Sequence, residues 1–101
     1  MRIIVFFDLP TLTYYDQKEY RKFHKFLIKS GYIMMQNSVY TKLALNNSIV
    51  NSEKQKLIKN KPLKGVVQAL VITEKQFAQM EFIVGEKNTK TIDSEQRIIV
   101  L

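Results

Sequence analysis

Asp8 is the residue whose type and position could most directly do chemistry. It closes the run Arg2-Ile3-Ile4-Val5-Phe6-Phe7 and is followed at once by Leu9-Pro10. Five consecutive apolar residues read as a strand buried on both faces, so the carboxylate stands at the mouth of the core. Pro10 stops the strand and holds Leu9 extended, which fixes Asp8 by its neighbours. The chemistry open to it is hard-cation binding, because Mg²⁺ takes oxygen ligands and is often held by one or two carboxylates plus phosphate and water. One carboxylate is a poor site, but a symmetric dimer would bring two copies together. The competing reading is a turn-forming Asp that accepts from backbone N–H groups at the strand end.

The remaining reactive groups are few. His24 is the only histidine, and it falls at the flank of a helix, where it reads as a boundary residue rather than a catalyst. A metal-free ribonuclease needs an acid and a base of suitable pKa, which one histidine does not supply. No cysteine is present, so disulfides, thiolate metal sites and cysteine nucleophiles are excluded. The chain has three glycines and none of the spacings of a nucleotide cradle, a zinc-protease helix or a nucleophile elbow.

Cations form the other chemical feature. On a helix, Lys18, Lys22, Lys25 and Lys29 fall within about 60° of one another, with Arg21 at the edge of the stripe. Such a row could track phosphates without reading bases, or it could be an ordinary solvated face. Tyr14, Tyr15, Tyr20 and Tyr32 could stack on bases, with core packing favoured for Tyr20 and Tyr32. No single-strand platform motif of the RNP1 type occurs.

These groups must be positioned by elements that the pattern also predicts. A helix is expected from Asp16, as N-cap, to Ser30, with Gly31 as its stop. Tyr20, Phe23 and Leu27 form its apolar side. Tyr32-Ile33-Met34-Met35 and Ser38 to Leu43 read as strands around a bend at Gln36-Asn37. Asn46-Asn47-Ser48 offers cap chemistry for a second helix ending near Lys61 before Pro62. Its apolar positions, Ile49, Val50, Leu57 and Ile58, are sparse, so it is expected at the surface. Gly65 to Ile72 reads as a strand, and Thr73-Glu74-Lys75-Gln76 matches a capping box that opens a brief helix, since Phe82-Ile83-Val84 looks extended. Glu86 to Gln96 reads as a polar loop, and Arg97 to Leu101 as a closing strand.

The order β-α-β-β-α-β with an additional C-terminal strand predicts an α+β, ferredoxin-like sandwich. Residues 1–101 suit one domain. Two helices would cover one sheet face and leave the other for a second subunit, with residues 97–101 pairing at the dimer interface. The 46% apolar content, with six Phe and five Tyr, can fill a core. Sixteen Lys+Arg against nine Asp+Glu give +7, which favours a polyanionic partner, nucleic acid before a membrane surface. Met1-Arg2 leads straight into a strand, and no apolar run is long enough to span a bilayer. A cytoplasmic protein without membrane association is expected.

Taken together, three segments resemble the CRISPR-associated protein 2 family, the small core subunit of the spacer-acquisition machinery. They are Ile4-Val5-Phe6-Phe7-Asp8-Leu9-Pro10, Tyr20-Arg21-Lys22-Phe23 with Lys25-Phe26-Leu27, and Gln36-Asn37-Ser38-Val39-Tyr40. Leu43 to Asn47 and Thr73 to Phe77 look like the variant of type II-A systems. The resemblance spans nearly the whole chain and rests on order and spacing rather than on one motif. It implies a ferredoxin-like homodimer whose C-terminal strands join the two subunits' sheets. It also implies a bridge between dimers of the CRISPR integrase subunit, CRISPR-associated protein 1, with protospacer double-stranded DNA held by its backbone.

Family members are labelled metal-dependent endoribonucleases or deoxyribonucleases, which adds single-stranded RNA as a second nucleic-acid partner. Asp8 from both subunits would then be catalytic and would ligate one Mg²⁺ shared at the dimer axis. Nuclease activity is not uniform in that family, and acquisition can proceed without the acidic site. The scaffold role therefore comes first, with Lys18, Arg21, Lys22, Lys25 and Lys29 as the expected DNA contacts. The sequence ends at Leu101, so no longer tail gripping the integrase is expected. A stand-alone toxin-type metal-dependent ribonuclease, or a small nucleic-acid-binding module of the same fold, is the alternative.

Overall fold

The computed structural model describes residues 1–85. The expected loop 86–96 and closing strand 97–101 lie outside the described residues. Elements run β1 (Arg2–Asp8), α1 (Tyr14–Lys29), β2 (Ile33–Gln36), β3 (Val39–Leu43), α2 (Asn47–Lys59), β4 (Val66–Ile72) and α3 (Glu74–Ala78). The strands form one antiparallel sheet in the order β2-β3-β1-β4, the ferredoxin-like arrangement expected of this element order.

Alternation along β1 divides the sheet's two faces. Ile3, Val5 and Phe7 enter the main core with Phe23 and Leu27 of α1, Tyr40 of β3, and Val50 and Leu57 of α2. Phe7 is central: its ring meets Tyr20 and Phe23 edge-on and stacks on Tyr40. Arg2, Ile4, Phe6 and Asp8 therefore point to the opposite face. That face is not wholly vacant, as the sequence had suggested. Phe77 of α3 is buried there, with the Arg2 guanidinium 4.3 Å from its ring centroid. Arg2 also donates to both carboxylate oxygens of Glu74, at 2.9 and 2.6 Å. Ile4 and Thr41 are buried on this side as well, whereas Ile33, Leu43, Val66 and Leu70 remain exposed.

Several boundaries differ from the sequence reading, each for a local reason. Asp16 is not the N-cap of α1. Thr13 is, because its hydroxyl accepts from the Asp16 N–H at 3.0 Å while the Asp16 carboxylate accepts from the Thr13 N–H at 3.3 Å. This reciprocal box brings Tyr14 and Tyr15 into the first turn. Gly31 does terminate α1. At φ +91° it allows a Schellman end, in which the Gly31 N–H donates to Ile28 O and the Tyr32 N–H to Leu27 O. The β2–β3 turn falls on Asn37-Ser38 rather than Gln36-Asn37, since Gln36 still pairs with Val39. Helix α2 stops at Lys59, two residues short of Lys61, with Asn60 as its C-cap. The capping box at Thr73 and Gln76 forms as expected. Phe82-Ile83-Val84 is not a strand: Phe82 makes a single bridge and the chain then bends.

Candidate nucleic-acid and metal-binding surfaces

Asp8 ends β1 opposite Val66 of β4 and its side chain is exposed. Its backbone is held from the next loop. A Cβ on Gly65 would lie 2.5 Å from the Asp8 carbonyl oxygen and 2.8 Å from Leu9 Cδ2. Gly65 also takes φ +91°, a conformation that side-chain-bearing residues resist. Only glycine lets the 62–65 loop close against the strand end this tightly. Among the described residues no three His, Cys, Asp or Glu side chains gather into a group that could hold a metal. Among the described residues Asp8 therefore belongs to no such group.

The five cations named from the sequence are exposed on the outward side of α1, while Phe23 and Leu27 on its inward side are buried. Among the described residues none of Lys18, Arg21, Lys22, Lys25 and Lys29 takes part in an ion pair. Their charge is therefore unspent within the described part of the chain. The stripe lies on the helical layer, whereas Asp8 ends the opposite face of the sheet, so the fold does not merge the two features into one site. It does bring further cations to the stripe. Lys22 shares a crevice of about 120 Å³ between α1 and the end of α2 with Lys59 and Lys61, and with one acid, Glu19. Those two lie at the end of a helix that the sequence placed at the surface. The signal was the repetition of lysine at 54, 56, 59 and 61, but their meeting with Lys22 depends on helix packing.

Two polar contacts lock the helices to the sheet. His24 is half-buried and hydrogen-bonds through Nδ1 to the Tyr40 hydroxyl, so the expected boundary residue joins α1 to β3. Burial first, and then the neighbouring Tyr20, push the Tyr40 hydroxyl above the ordinary tyrosine pKa. The second contact surrounds Glu53, which is only 4% exposed on α2. Lys42 Nζ donates to Glu53 Oε2 at 3.0 Å and to the Ser30 carbonyl at 2.6 Å, and Lys56 Nζ donates to the same Oε2 at 3.3 Å. Burial raises the Glu53 pKa, but the bonds and charges of Lys42 and Lys56 outweigh it and hold the carboxyl below its ordinary value. Burial, followed by the Glu53 charge, drives the Tyr32 hydroxyl well above the tyrosine range. Among the described residues the Tyr32 hydroxyl and Glu53 Oε1 find no partner at hydrogen-bond geometry. This cluster ties the end of α1, β3 and α2 together.

None of the helices among the described residues is long and apolar enough to cross a bilayer. Comparison with known proteins adds identity to this geometry. The family model described as "CRISPR associated protein Cas2" matches residues 1–80. A Treponema denticola protein named CRISPR-associated endoribonuclease Cas2 is 50% identical over 101 residues, covering all of both chains. Proteins of the same name from Streptococcus mutans and Ligilactobacillus salivarius are 48% and 43% identical. They align with all of this chain and with 93% and 100% of their own lengths. The matched residues 1–80 span the elements from β1 to α3. The chain belongs to the CRISPR-associated Cas2 family.

Proposed function

We propose that the protein acts in the cytoplasm as a homodimeric scaffold of CRISPR spacer acquisition, bridging integrase-subunit dimers and holding protospacer duplex DNA by its backbone. The observation that carries this reading is the outward row of cations on α1, exposed and without acidic partners among the described residues, with Lys59 and Lys61 continuing it beside Lys22. Phosphate contacts of this kind fix register without reading sequence. Dimerisation is favoured by the exposed apolar side chains Ile33, Leu43, Val66 and Leu70 on the sheet face away from α1 and α2. It is favoured also by β4, which lies at the edge of the sheet and invites a further strand such as 97–101. Co-purification with the integrase subunit tests the bridging role. A protein that binds duplex yet fails to form that complex is a stand-alone module instead.

A second reading rests on Asp8 and on the endoribonuclease named among the relatives. Asp8 ends the same sheet face that a second subunit would cover, so symmetry could bring two Asp8 carboxylates together. That pair suits one Mg²⁺, with water and phosphate completing its shell. A cation bound there would supply Lewis-acid activation of a phosphodiester and of its attacking water. The chain's own part is to hold Asp8 exposed and fixed, through Pro10 on one side and the Gly65 contact on the other. Asp8→Asn keeps shape and removes charge, so it is expected to abolish cleavage of single-stranded RNA and leave duplex binding unchanged. Equal cleavage by variant and wild type would remove Asp8 from the chemistry.

A further inference from the structure

His24 presents its two ring nitrogens to different surroundings. Nδ1 meets the hydroxyl of Tyr40 on β3. Tyr40 is only 1% exposed, and among the described residues its hydroxyl has no other hydrogen-bond partner. Burial, and then Tyr20, raise its pKa above the ordinary tyrosine value, so the phenol keeps its proton and must direct it somewhere. A buried O–H without an acceptor is costly, and Nδ1 is the acceptor at hand. That bond assigns the tautomer: Nδ1 accepts, and the neutral ring carries its hydrogen on Nε2.

Among the described residues Nε2 makes no hydrogen bond, and it is not one of the buried polar atoms left without a partner, so water reaches it. The ring is half-buried on the flank of α1, between the core side, with Phe23 and Leu27, and the cationic row. At 100° per residue His24 lies about 60° from Arg21, three positions earlier and its neighbour on the helix surface. The positions three and four away from His24 hold Tyr20, Arg21, Leu27 and Ile28, none of them acidic. Glu19, the acid beside Lys22, falls about 140° away, on the opposite edge of the row. The free N–H is therefore a donor added to the edge of a row of cations, with no carboxylate of α1 beside it to take it.

We propose that His24 is a phosphate-binding residue of the α1 face: Nε2–H donates to a backbone phosphate oxygen beside Arg21, and Tyr40 is the positioning residue that holds the ring. This rests on the phosphate-tracking reading of α1. The cations supply charge, whereas the neutral imidazole supplies direction, a hydrogen bond that releases no counterion. The test is anisotropy of a labelled blunt DNA duplex with the full chain at about pH 8, above the ordinary histidine range. His24→Phe together with Tyr40→Phe removes donor and acceptor at once, so no buried hydroxyl is orphaned, and an unchanged melting temperature verifies folding. The pair is expected to weaken duplex binding by about three- to tenfold, the scale of one net hydrogen bond. Its slope of log K against log salt should stay at the wild-type value, while Lys25→Gln should flatten that slope by about 0.9. Tyr40→Phe alone frees the ring but keeps Nε2–H, and should bind between wild type and the pair. Nitrogen NMR of the single histidine needs no variant: the hydrogen should sit on Nε2, and unlabelled duplex should move the Nε2 signal more than that of Nδ1.

Duplex affinity that survives the phenylalanine pair overturns the role of His24. So does a loss accompanied by a flatter salt slope, which marks a cation in place of a neutral donor. A ring with its hydrogen on Nδ1, or an Nε2 signal indifferent to duplex, overturns it as well, and Tyr40→Phe equal to wild type overturns the positioning by Tyr40. If wild type binds duplex with a steep salt slope while His24 fails these tests, phosphate tracking by α1 stands and this inference alone falls. Wild type without salt-dependent duplex binding removes both.

Discussion

Replacing Lys22 and Lys25 together by glutamine probes the phosphate-tracking face with little disturbance of the fold. Both side chains are exposed, and lysine and glutamine have similar helix propensities. The five exposed cations on α1 can by themselves neutralise up to five phosphates where one subunit's stripe lies on the duplex. At about −0.9 per phosphate, log K against log salt should then fall with a slope of about −4.5. Over a rise from about 50 to about 200 mM salt, that slope corresponds to a loss of about 500-fold in affinity. With two cations removed, the slope should flatten to about −2.7 and the loss over the same range to about 40-fold. The variant and wild-type lines should therefore converge as salt rises. The assay is anisotropy of two labelled duplexes of unrelated sequence, which should respond alike. Lys75→Gln on α3 is the control, since Lys75 is exposed on a helix that packs on the other face of the sheet. A slope unchanged by the Lys22 and Lys25 pair, or a loss confined to one of the duplexes, would refute phosphate tracking by this face.

Other perturbations test how the site is held. Gly65→Ala should destabilise the protein by about 1–3 kcal/mol through backbone strain, because the new Cβ meets the Asp8 carbonyl oxygen at 2.5 Å with φ at +91°. A urea midpoint equal to wild type would show that the 62–65 loop does not anchor the strand end. Glu53→Gln should cost about 1–3 kcal/mol, as one partner of a buried charged hydrogen-bond network is lost. The pH dependence has a definite sign. Because Lys42 and Lys56 outweigh burial and hold the folded Glu53 pKa below its ordinary 4.5, its contribution is complete above 4.5 and disappears as pH falls through the folded value. The gap between wild type and Glu53→Gln should close on acidification, and denaturation curves that stay equally separated from neutral to strongly acidic pH would contradict this.

The difference between what was legible and what was not follows from the range of the interactions. Gly31, Asn46 and the Thr73 box act over three or four residues, and each does what its local chemistry indicates. The misplacement of the α1 start is of another kind. Thr13 takes the cap role that the sequence reading gave to Asp16, and Asp16 serves as its reciprocal acceptor. Helix α2 was harder to read because its core-facing row is Val50, Glu53 and Leu57, with a carboxylate where an apolar residue would announce burial. Ile49 and Ile58, counted with Val50 and Leu57 among its sparse apolar positions, are exposed. Glu53 can be buried only because Lys42 reaches it from β3, a pairing that no helical period contains.

By itself the chain of residues determined the strand that ends on Asp8, the amphipathic α1 with its cationic side, and the order of elements that builds the four-stranded sheet. These are consequences of apolar periodicity, proline and glycine geometry, and charge spacing, all expressed within a few neighbouring positions. Tertiary structure decided which surfaces those residues share. It set Asp8 and the lysine stripe on opposite sides of the sheet, joined Lys59 and Lys61 to Lys22, and covered part of the second face with α3. It also left Tyr14 and Tyr15 in water while drawing Tyr20, Tyr32 and Tyr40 inward. The physical reason is packing: a side chain's exposure depends on what the folded chain lays over it, and that neighbour usually lies far away in sequence.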